Sequence, residues 1–359
     1  MLRDFIQQSG EMARTQKKEL NRIDPAGVKA VLVSRLRFMG DVILTTPLLS
    51  VLRRHFPDAR IGYLAEKPYH ELLEHHPDVD ELFAFKRGDD RGQAALVRSM
   101  RRQKWDVAID LFGNPRSAML LYLSGARWRI GGDFRGRRLL YTHRIPDAGR
   151  RMTAIDFHLR YLEPLGLQAA AAAMPGIVVT EAEKEAARRY LGSKGYDTGR
   201  PIIGLHPGAT WPAKRWFPDR FAALAARLLN EKRQILFTMG PGEEEIVDSL
   251  LGLLPAELPR PELLPLRRLA ALLSQLALYV SNDCGPLHLA PAVGTRTVGI
   301  FGPGEPDIWF PYDEAAGHRV VHHSLDCSRC HRDLCSSMAC MRAITVEDVI
   351  TAIHSALAD

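Results

Sequence analysis

The sequence predicts an α/β protein built from two doubly wound halves. Apolar runs typical of buried strands alternate with runs typical of helices, and this alternation indicates βαβ units arranged around parallel sheets. The chain has 359 residues, and since domains average roughly 150 residues, we expect two domains. The alternation lapses in LGLQAAAAAMPG at 165–176, so the two halves are expected to join near residues 165–178.

The first half follows a charged, partly helical extension at residues 1–27. Its expected strands are KAVLVSRL (29–36), ARIGYLAE (59–66) and WDVAIDLFG (105–113). After the first strand we expect a turn at Gly40 and then one apolar helix through Arg54. These segments define a first domain over residues 28–168.

The second half repeats the pattern over residues 175–325. Its expected strands are RPIIGLHPGA (200–209), RQILFTMG (233–240), ALYVSND (277–283) and RTVGIFGP (296–303). Thr180 and Glu183 form a capping box that predicts a helix start. Pro218 opens another helix, and one apolar stripe runs along it through Phe221, Leu224, Ala225 and Leu228. Thr345 is expected to cap the terminal helix VEDVITAIHSAL.

Composition and charge indicate a globular protein with an anionic partner. Hydrophobic residues make up 46% of the chain and charged residues 25%, which is ordinary. The net charge is +6 with a pI near 9.1, and basic residues concentrate in 96–105 and 132–152. A nucleic acid, an anionic glycolipid, a phosphorylated sugar or plain solvent are all compatible with them. No apolar run is long enough to span a bilayer, and the N-terminal residues lack a signal peptide's apolar middle, so we expect a cytoplasmic protein.

Four polar clusters follow expected strands, at the sheet edge where ligands bind in doubly wound folds. They are RFMGD (37–41), HPGATWPAKRW (206–216), GPGEEE (240–245) and NDCGPLH (282–288). In the first cluster, Asp41 is either a helix N-cap or a general base in a cleft. In the second, Lys214 is either a surface charge beside tryptophans or a point charge for a diphosphate.

The third and fourth clusters each begin a helix. Glu243, Glu244 and Glu245 suit the positive end of a helix dipole, and one of them is also placed to bind a ribose diol. In the fourth cluster, we expect Asp283 to cap a helix that begins near Pro286. The backbone N–H groups of that first turn would then form an anion site.

Two other residues of the fourth cluster have simple explanations. His288 is most simply a packed core histidine, and Cys284 needs only to be small. The chain has no GxxxxGK[ST] loop, no GxGxxG after the first strand and no G-x-S-x-G elbow. We therefore expect neither a P-loop enzyme nor an ordinary dinucleotide dehydrogenase, and no nucleophile of the elbow type.

Three blocks together resemble glycosyltransferase family 9, the ADP-heptose:lipopolysaccharide heptosyltransferases and their relatives. They are RLRFMGDVILTTPLLSVLRRHFPDARIGYL, GLHPGATWPAKRWFPDRFAAL and VSNDCGPLHLAPAVGTRTVGIFGPGEP, in the family's order. The resemblance runs from about residue 28 to the end of the chain. It implies a GT-B fold, in which two facing Rossmann-like domains bind the acceptor and the nucleotide-sugar, and an inverting, metal-independent transfer.

The resemblance also implies roles for individual residues. Asp41 matches the general base that deprotonates the acceptor hydroxyl. Lys214 matches the lysine at the donor diphosphate, with Thr210 as a neighbouring phosphate contact. Glu243 is the best match for the ribose-binding glutamate, with its register within the three glutamates left open. At the sugar-diphosphate, the family's Asp-(Ser/Thr)-Gly-x-x-His sequence corresponds to Asp283, Cys284, Gly285 and His288.

Two departures from the family pattern concern the donor site. Cys284 replaces the usual hydroxyl residue, which weakens any side-chain hydrogen bond to phosphate but keeps the backbone N–H. GPGEP (302–306) replaces the more common Gly-Pro-Thr-Asp/Ser-Pro. Contacts that the family's threonine makes are therefore in doubt here.

The resulting hypothesis is a glycosyltransferase that moves a heptose or related sugar from ADP-heptose to a lipopolysaccharide core or other lipid-linked anionic glycan. Weak peripheral contact with the inner face of the inner membrane fits the basic first domain. We expect no required cofactor, because Lys214 and a helix end can stabilise the leaving diphosphate, and no nucleic acid partner. One alternative is a nucleotide-sugar epimerase on the same fold. Another is an inert glycan-binding relative, against which Asp41 and Lys214 argue.

The tail at 326–359 is rich in cysteine. Its four cysteines lie close together, near His331, at Cys327, Cys330, Cys335 and Cys340. Their spacing is compatible with zinc or an iron–sulfur cluster. It is equally compatible with reduced or paired thiols in a packed tail. The sequence leaves both possibilities open.

Overall fold

The structure, a computed structural model, describes residues 22–167, 174–327 and 329–358. It contains two parallel sheets, one in each half of the chain, with helices on both faces of each. The expected doubly wound α/β architecture is thus confirmed. Most of the extension expected at 1–27 lies outside the described residues. Within the described part, Ile23 is buried, and its N–H donates to the carbonyl of Pro164 at 2.8 Å.

Six parallel strands form the first sheet. They are β1 (Ala30–Ser34), β2 (Arg60–Glu66), β3 (Glu81–Phe85), β4 (Val107–Asp110), β5 (Trp128–Gly132) and β6 (His143–Ile145). Their order is β3-β2-β1-β4-β5-β6. β1 is buried along its whole length because helices cover both faces of the sheet. The chain leaves β1 first toward β2 and later returns to β4 on its other side, which places a crevice at the carboxyl end of β1.

Five helices surround this sheet. They are α1 (Met39–Ile43), α2 (Thr46–His55), α3 (Asp90–Arg102), α4 (Pro115–Leu123) and α5 (Ala154–Leu159). Short 3-10 segments occur at Pro25–Gly27, Tyr69–Leu73, Arg137–Leu140 and Arg160–Leu165. α2 and α5 cover one face of the sheet and α3 and α4 cover the other, because their buried side chains join separate cores on its two sides.

The single helix expected from Gly40 through Arg54 is two helices, α1 and α2. Pro47 lies in the first turn of α2 and has no N–H to donate to the carbonyl of Ile43, so the helix cannot continue through it. The hydroxyl of Thr46 donates to that carbonyl instead, at 2.8 Å. The break leaves α1 as a short helix directly at the end of β1.

Five parallel strands form the second sheet. They are β7 (Ile202–His206), β8 (Gln234–Phe237), β9 (Leu278–Asn282), β10 (Arg296–Phe301) and β11 (Arg319–His322). Their order is β11-β10-β9-β7-β8. Its helices are α6 (Glu181–Ser193), α7 (Pro218–Asn230), α8 (Glu244–Leu251), α9 (Leu266–Leu273), α10 (Gly285–Ala292), α11 (Pro306–Trp309), α12 (Ala339–Ala343) and α13 (Val346–Ala358). Further 3-10 segments occur at Pro212–Lys214 and Glu314–Ala316. No helix in the described part of the chain is long and apolar enough to cross a membrane.

The helix signals of the second half are confirmed. The N–H of Thr180 donates to the Glu183 carboxylate at 2.8 Å and the N–H of Glu183 donates to the Thr180 hydroxyl at 3.3 Å, a reciprocal capping box. The stripe expected on α7 is fully buried at all four positions, Phe221, Leu224, Ala225 and Leu228. Thr345 caps α13 by accepting the N–H of Asp348 at 3.1 Å.

Four strands were not evident from apolar runs, namely β3, β5, β6 and β11. Three of them, β3, β6 and β11, are edge strands. Edge strands face solvent on one side and therefore need no continuous apolar run. The fourth, β5, ends in Gly131 and Gly132, which interrupt the apolar pattern.

The two domains share one apolar core. Leu48 of α2 and Leu287 of α10 belong to the same buried cluster, together with Ile177 from the segment between the domains. The N–H of Gly176 also donates to the Thr46 hydroxyl at 3.0 Å. The inner helical layers of the two domains are therefore packed against each other.

Candidate active site

The carboxyl ends of the two sheets meet where α1 packs against α10. Each helix brings a glycine to the contact. A Cβ atom on Gly40 would lie 2.4 Å from Cδ2 of His288, and a Cβ atom on Gly285 would lie 2.4 Å from Cε of Met39. Since real contacts of this kind are essentially never so short, a side chain at either position would force its neighbour to move. It brings the clusters at 37–41 and 282–288 together across the domain junction.

Asp41 is the third residue of α1 rather than the N-cap, which is Phe38. Its carboxylate accepts the N–H of Phe38 at 2.9 Å and forms an ion pair with Arg35. Arg35 also donates to the carbonyl of Leu111, just after β4, at 2.6 Å. The Asp41 side chain is only 16% exposed. The carboxylate is therefore held in one orientation at the edge of the first sheet.

Lys214 lies at the matching edge of the second sheet. Its Nζ atom is 2.6 Å from Oδ2 of Asp283 and 4.7 Å from the centre of the Trp211 ring. β7 and β9 are neighbouring strands, so the loop after β7 and the first residue after β9 emerge side by side. A carboxylate and an aromatic face thus fix the ammonium group. Thr210 is exposed on the same loop.

The start of α10 differs from the expectation. Cys284 is the N-cap, in an extended conformation, and Asp283 does not cap the helix because its carboxylate pairs with Lys214. The thiol of Cys284 lies 3.3 Å from the Ser281 hydroxyl. Burial raises the pKa of this thiol to about 12, so it is protonated at neutral pH and is not a nucleophile. The N-terminus of α10 remains a candidate anion site.

His288 lies among the charged groups of both domains. It is 5% exposed, and its Nδ1 atom is 3.2 Å from the Tyr312 hydroxyl, as expected for a packed histidine. Burial lowers its pKa, Asp283 and Asp41 act to raise it, and Lys214 acts to lower it. Three charges from separate elements of the two domains therefore act on this one imidazole.

The three glutamates at the end of the 240–245 cluster differ in burial. Glu243 is buried, whereas Glu244 and Glu245 are exposed. The Glu243 carboxylate accepts the N–H of Gly240 at 2.6 Å. A Cβ atom on Gly208 would lie 1.9 Å from the carboxyl carbon of Glu243, so the loop after β7 passes directly over it. Glu243 is therefore the glutamate at the sheet edge.

Asn282 was given no role from the sequence, yet it organises the donor half of the site. Its amide group donates to the carbonyls of Pro207 at 2.8 Å and Gly208 at 3.2 Å. Its side-chain oxygen accepts the N–H of Trp216 at 3.0 Å. These bonds tie both ends of the Lys214 loop to the end of β9. The sequence did carry a signal for Asn282, because it is a polar residue at the end of a fully buried strand. It carried none for Arg35, the partner of Asp41.

The cysteine-rich tail packs beside the donor half of the site. The carbonyl of Asp333 accepts the N–H of Ala213 at 3.0 Å, and the imidazole of His331 lies 2.9 Å from the Glu305 carboxylate. The tail cysteines are free thiols, exposed at Cys327 and Cys330, half-buried at Cys335 and buried at Cys340. Within the described residues, no three or more His, Cys, Asp or Glu side chains are grouped to hold a metal ion.

Comparison with known proteins gives consistent relatives. The family model for glycosyltransferase family 9 (heptosyltransferase) matches residues 93–340, more than half of the chain. Lipopolysaccharide heptosyltransferase 3 of Escherichia coli is 26% identical over 298 residues, covering 77% of this chain and 84% of the relative. Lipopolysaccharide heptosyltransferase 2 of Salmonella typhimurium is 25% identical over 354 residues, covering 92% and 99%.

Solved structures agree on the architecture. The glycosyltransferase family 9 protein from Veillonella parvula is 25% identical with a TM-score of 0.82, covering 94% of this chain and 99% of that one. The ADP-heptose lipopolysaccharide heptosyltransferase II of Escherichia coli is 23% identical with a TM-score of 0.76, covering 92% and 98%. These neighbours confirm the expected GT-B fold. The chain therefore belongs to glycosyltransferase family 9, the heptosyltransferase family, and is a glycosyltransferase.

Proposed function

We propose that this enzyme transfers a heptose from ADP-heptose to a lipopolysaccharide core or another lipid-linked anionic glycan, with inversion and without a metal ion. One observation carries the proposal: Asp41, Lys214 and Asp283 are gathered around His288 at the domain junction. This arrangement would place a base, Asp41, at the acceptor and a cation, Lys214, at the donor when both substrates are bound. The relatives named lipopolysaccharide heptosyltransferase 2 and 3 support the same reaction.

In this reaction the acceptor hydroxyl attacks the anomeric carbon of the donor sugar while the bond from that carbon to the diphosphate oxygen breaks. The hydroxyl proton passes to Asp41, which Arg35 and the N–H of Phe38 hold in place. Attack opposite the leaving group inverts the configuration. ADP departs with the electron pair of the broken bond.

The charge that builds on the departing ADP is met by Lys214 and by the N-terminus of α10. Both are held in place before the reaction, Lys214 by Asp283 at 2.6 Å. Fixed positive charges of this kind do the work that a divalent ion does in other transferases. We therefore propose that no metal ion is required.

The remaining donor contacts follow from position. We assign the ribose to Glu243, because it is the glutamate at the sheet edge. The diphosphate is assigned to Thr210 and to the start of α10 at Cys284 and Gly285. The acceptor is assigned to the first domain, which carries Asp41.

The decisive test is Asp41→Ala, measured as ADP release with a lipopolysaccharide-core acceptor and as ADP-heptose binding by calorimetry. We expect transfer to fall by about a thousandfold, with donor affinity nearly unchanged, because Asp41 acts on the acceptor. Asp58→Ala, an exposed aspartate of the same domain, is the control and should keep full activity. Excess EDTA should leave the wild-type rate unaltered.

Other outcomes would change the assignment. Wild-type turnover by Asp41→Ala would remove this residue as the base. Conversion of the donor sugar without any acceptor would indicate an epimerase, and donor binding without turnover would indicate an inert glycan-binding protein.

A further inference from the structure

Positive charge is concentrated in one segment of the first domain. Residues 91–151 contain 14 arginines and lysines and only four aspartates, a net charge of +10, whereas the whole chain carries +6. The rest of the protein is therefore net acidic. Of the four aspartates, Asp110 is fully buried, and Asp106 is occupied by the N–H groups of Lys29 and Ala30 at 2.7 and 2.9 Å. Little negative charge offsets the arginines at the surface.

Three elements of this segment lie on the outer side of the first sheet. α3 and α4 cover the face of the first sheet opposite to α2 and α5, and the second domain packs on the α2 side. The 3-10 segment Arg137–Leu140 contacts α4. We call these three elements together the outer face. It lies on the far side of the sheet from the second domain.

The outer face exposes large apolar side chains among its arginines. Leu139 is 77% exposed, Tyr122 is 49% exposed and Met119 is 46% exposed. Beside them runs an open groove of about 670 Å³ between α3 and α4, lined mainly by apolar residues that include Val97, Met119 and Leu123. Monomeric proteins seldom leave such side chains together at the surface without an interaction partner.

Arginines stack on the aromatic rings of the same face. The guanidinium carbon of Arg129 lies 5.3 Å from the centre of the Tyr122 ring on α4, and that of Arg137 lies 5.1 Å from the centre of the exposed Phe134 ring. Aromatic residues beside cationic groups are typical of surfaces at the boundary between water and lipid. The anionic head groups would meet the arginines while the apolar side chains enter the acyl boundary.

We propose that the outer face docks on the surface of an anionic lipid bilayer. The position of the groove supports this, because it begins at Pro115 and Arg116, only a few residues after Leu111, whose carbonyl holds Arg35 beside Asp41. A glycan anchored in the bilayer would thus emerge next to the base. The link to the acceptor rests on the proposed function, whereas docking itself does not.

The test is binding of the full chain to vesicles of phosphatidylcholine with phosphatidylglycerol, compared with vesicles of phosphatidylcholine alone. We expect binding only to the anionic vesicles, weakening as salt is raised. Arg98→Gln with Arg138→Gln, both exposed on the outer face, should lower the partition coefficient by about fivefold for each charge removed. Met119→Gln with Leu139→Gln should lower it by about tenfold.

Two matched variants of the second domain serve as controls. Arg268 and Leu253 are also exposed, so Arg268→Gln and Leu253→Gln should bind anionic vesicles like the wild type. Equal losses in these controls, or no binding of the wild type to anionic vesicles, would overturn the proposal. A third result would also overturn it. If light scattering showed that the wild type is a dimer and that the outer-face variants are monomers without a change in vesicle binding, the outer face would bind a second copy of the chain and not a bilayer.

Activity separates this proposal from the proposed function. The face variants should turn over a deacylated, water-soluble acceptor at the wild-type rate and lose activity on acceptor embedded in anionic vesicles. The enzyme could turn over neither the soluble nor the embedded acceptor and still bind vesicles as predicted. That result would contradict the proposed reaction but support the docking surface.

Discussion

At Cys284, a weak hydrogen-bond donor stands where relatives are expected to carry a hydroxyl. The thiol is the N-cap side chain of α10, and burial raises its pKa to about 12. In the proposed donor site it would therefore offer the phosphate an uncharged S–H group, which is a weaker hydrogen-bond donor than O–H. The backbone N–H groups of the helix start are unaffected by this exchange.

We predict that Cys284→Ser binds ADP about tenfold more tightly than Cys284→Ala, since a hydroxyl bond to a charged phosphate is worth about 1.5 kcal/mol. Calorimetry with ADP on the two variants measures the difference, and the alanine variant is the matched control for loss of the thiol. Affinities within twofold of each other would mean that the backbone alone holds the phosphate.

Gly304 gives a physical reason for the second departure from the family pattern. A Cβ atom at this position would lie 2.3 Å from Oδ2 of Asp283, the oxygen that pairs with Lys214. A threonine here would force that carboxylate to move. Gly304 therefore leaves the Asp283 carboxylate room to pair with Lys214.

At the scale of elements, the contact between α1 and α10 joins the two halves of the site. The two glycines at this contact meet different neighbours. Gly40 faces the ring of His288, which is buried and hydrogen-bonded to the Tyr312 hydroxyl. Gly285 faces the flexible end of Met39. A rigid ring cannot move away from an added methyl group, but the end of a methionine can.

We predict that Gly40→Ala lowers the free energy of unfolding by about 2 kcal/mol, and that Gly285→Ala costs less than half as much. Chemical denaturation measures both. Gly192→Ala is the control, because Gly192 lies in the last turn of α6 and a Cβ atom there meets nothing within 4 Å. That variant should be neutral or slightly stabilising.

A double-mutant cycle tests the cause. If the ring of His288 is the obstacle, His288→Ala should relieve part of the cost of Gly40→Ala, giving a coupling of about 1 kcal/mol. Additive effects would show that the cost arises elsewhere.

For the molecule as a whole, the pH dependence of stability is set in part by histidines that the fold buries, among them His158, His206 and His288. Burial lowers the pKa values of His158, His206 and His288, that of His158 to about 3. In the unfolded chain these groups have pKa values near 6.5. Because the folded pKa is the lower one, the unfolded state binds more protons below pH 6.5. Stability is therefore complete above that pH and is lost as the pH falls.

We predict that His158 alone removes about 2 kcal/mol of the free energy of unfolding between pH 7 and pH 5. Urea denaturation at the two pH values measures this loss. His158→Gln should reduce the slope by that amount, since glutamine does not titrate and can still bond to the carbonyl of Leu44. His55→Gln, an exposed position, should keep the wild-type slope; a similar change there would contradict the assignment.

The sequence by itself determined the parts of this protein that depend on local patterns. The strand-forming runs through the centres of both sheets, the capping box at Thr180 and the buried stripe of α7 were all predicted, because burial and capping leave a periodic signature. Asp41, Lys214, Glu243 and Asp283 could be nominated for the same kind of reason, since each follows a strand that the sequence predicted.

Only the tertiary structure decided how those residues meet. The Lys214–Asp283 ion pair joins residues from two loops, and the Gly40–His288 contact joins two domains. Neither leaves a periodic trace, because the partners are far apart in sequence and are brought together by the order of the strands. The same applies to the bond from Arg35 to the carbonyl of Leu111 and to the bonds of Asn282. It also applies to the burial that singles out Glu243 among three adjacent glutamates. Local sequence patterns therefore identify the candidate residues, whereas tertiary packing determines which residues they contact.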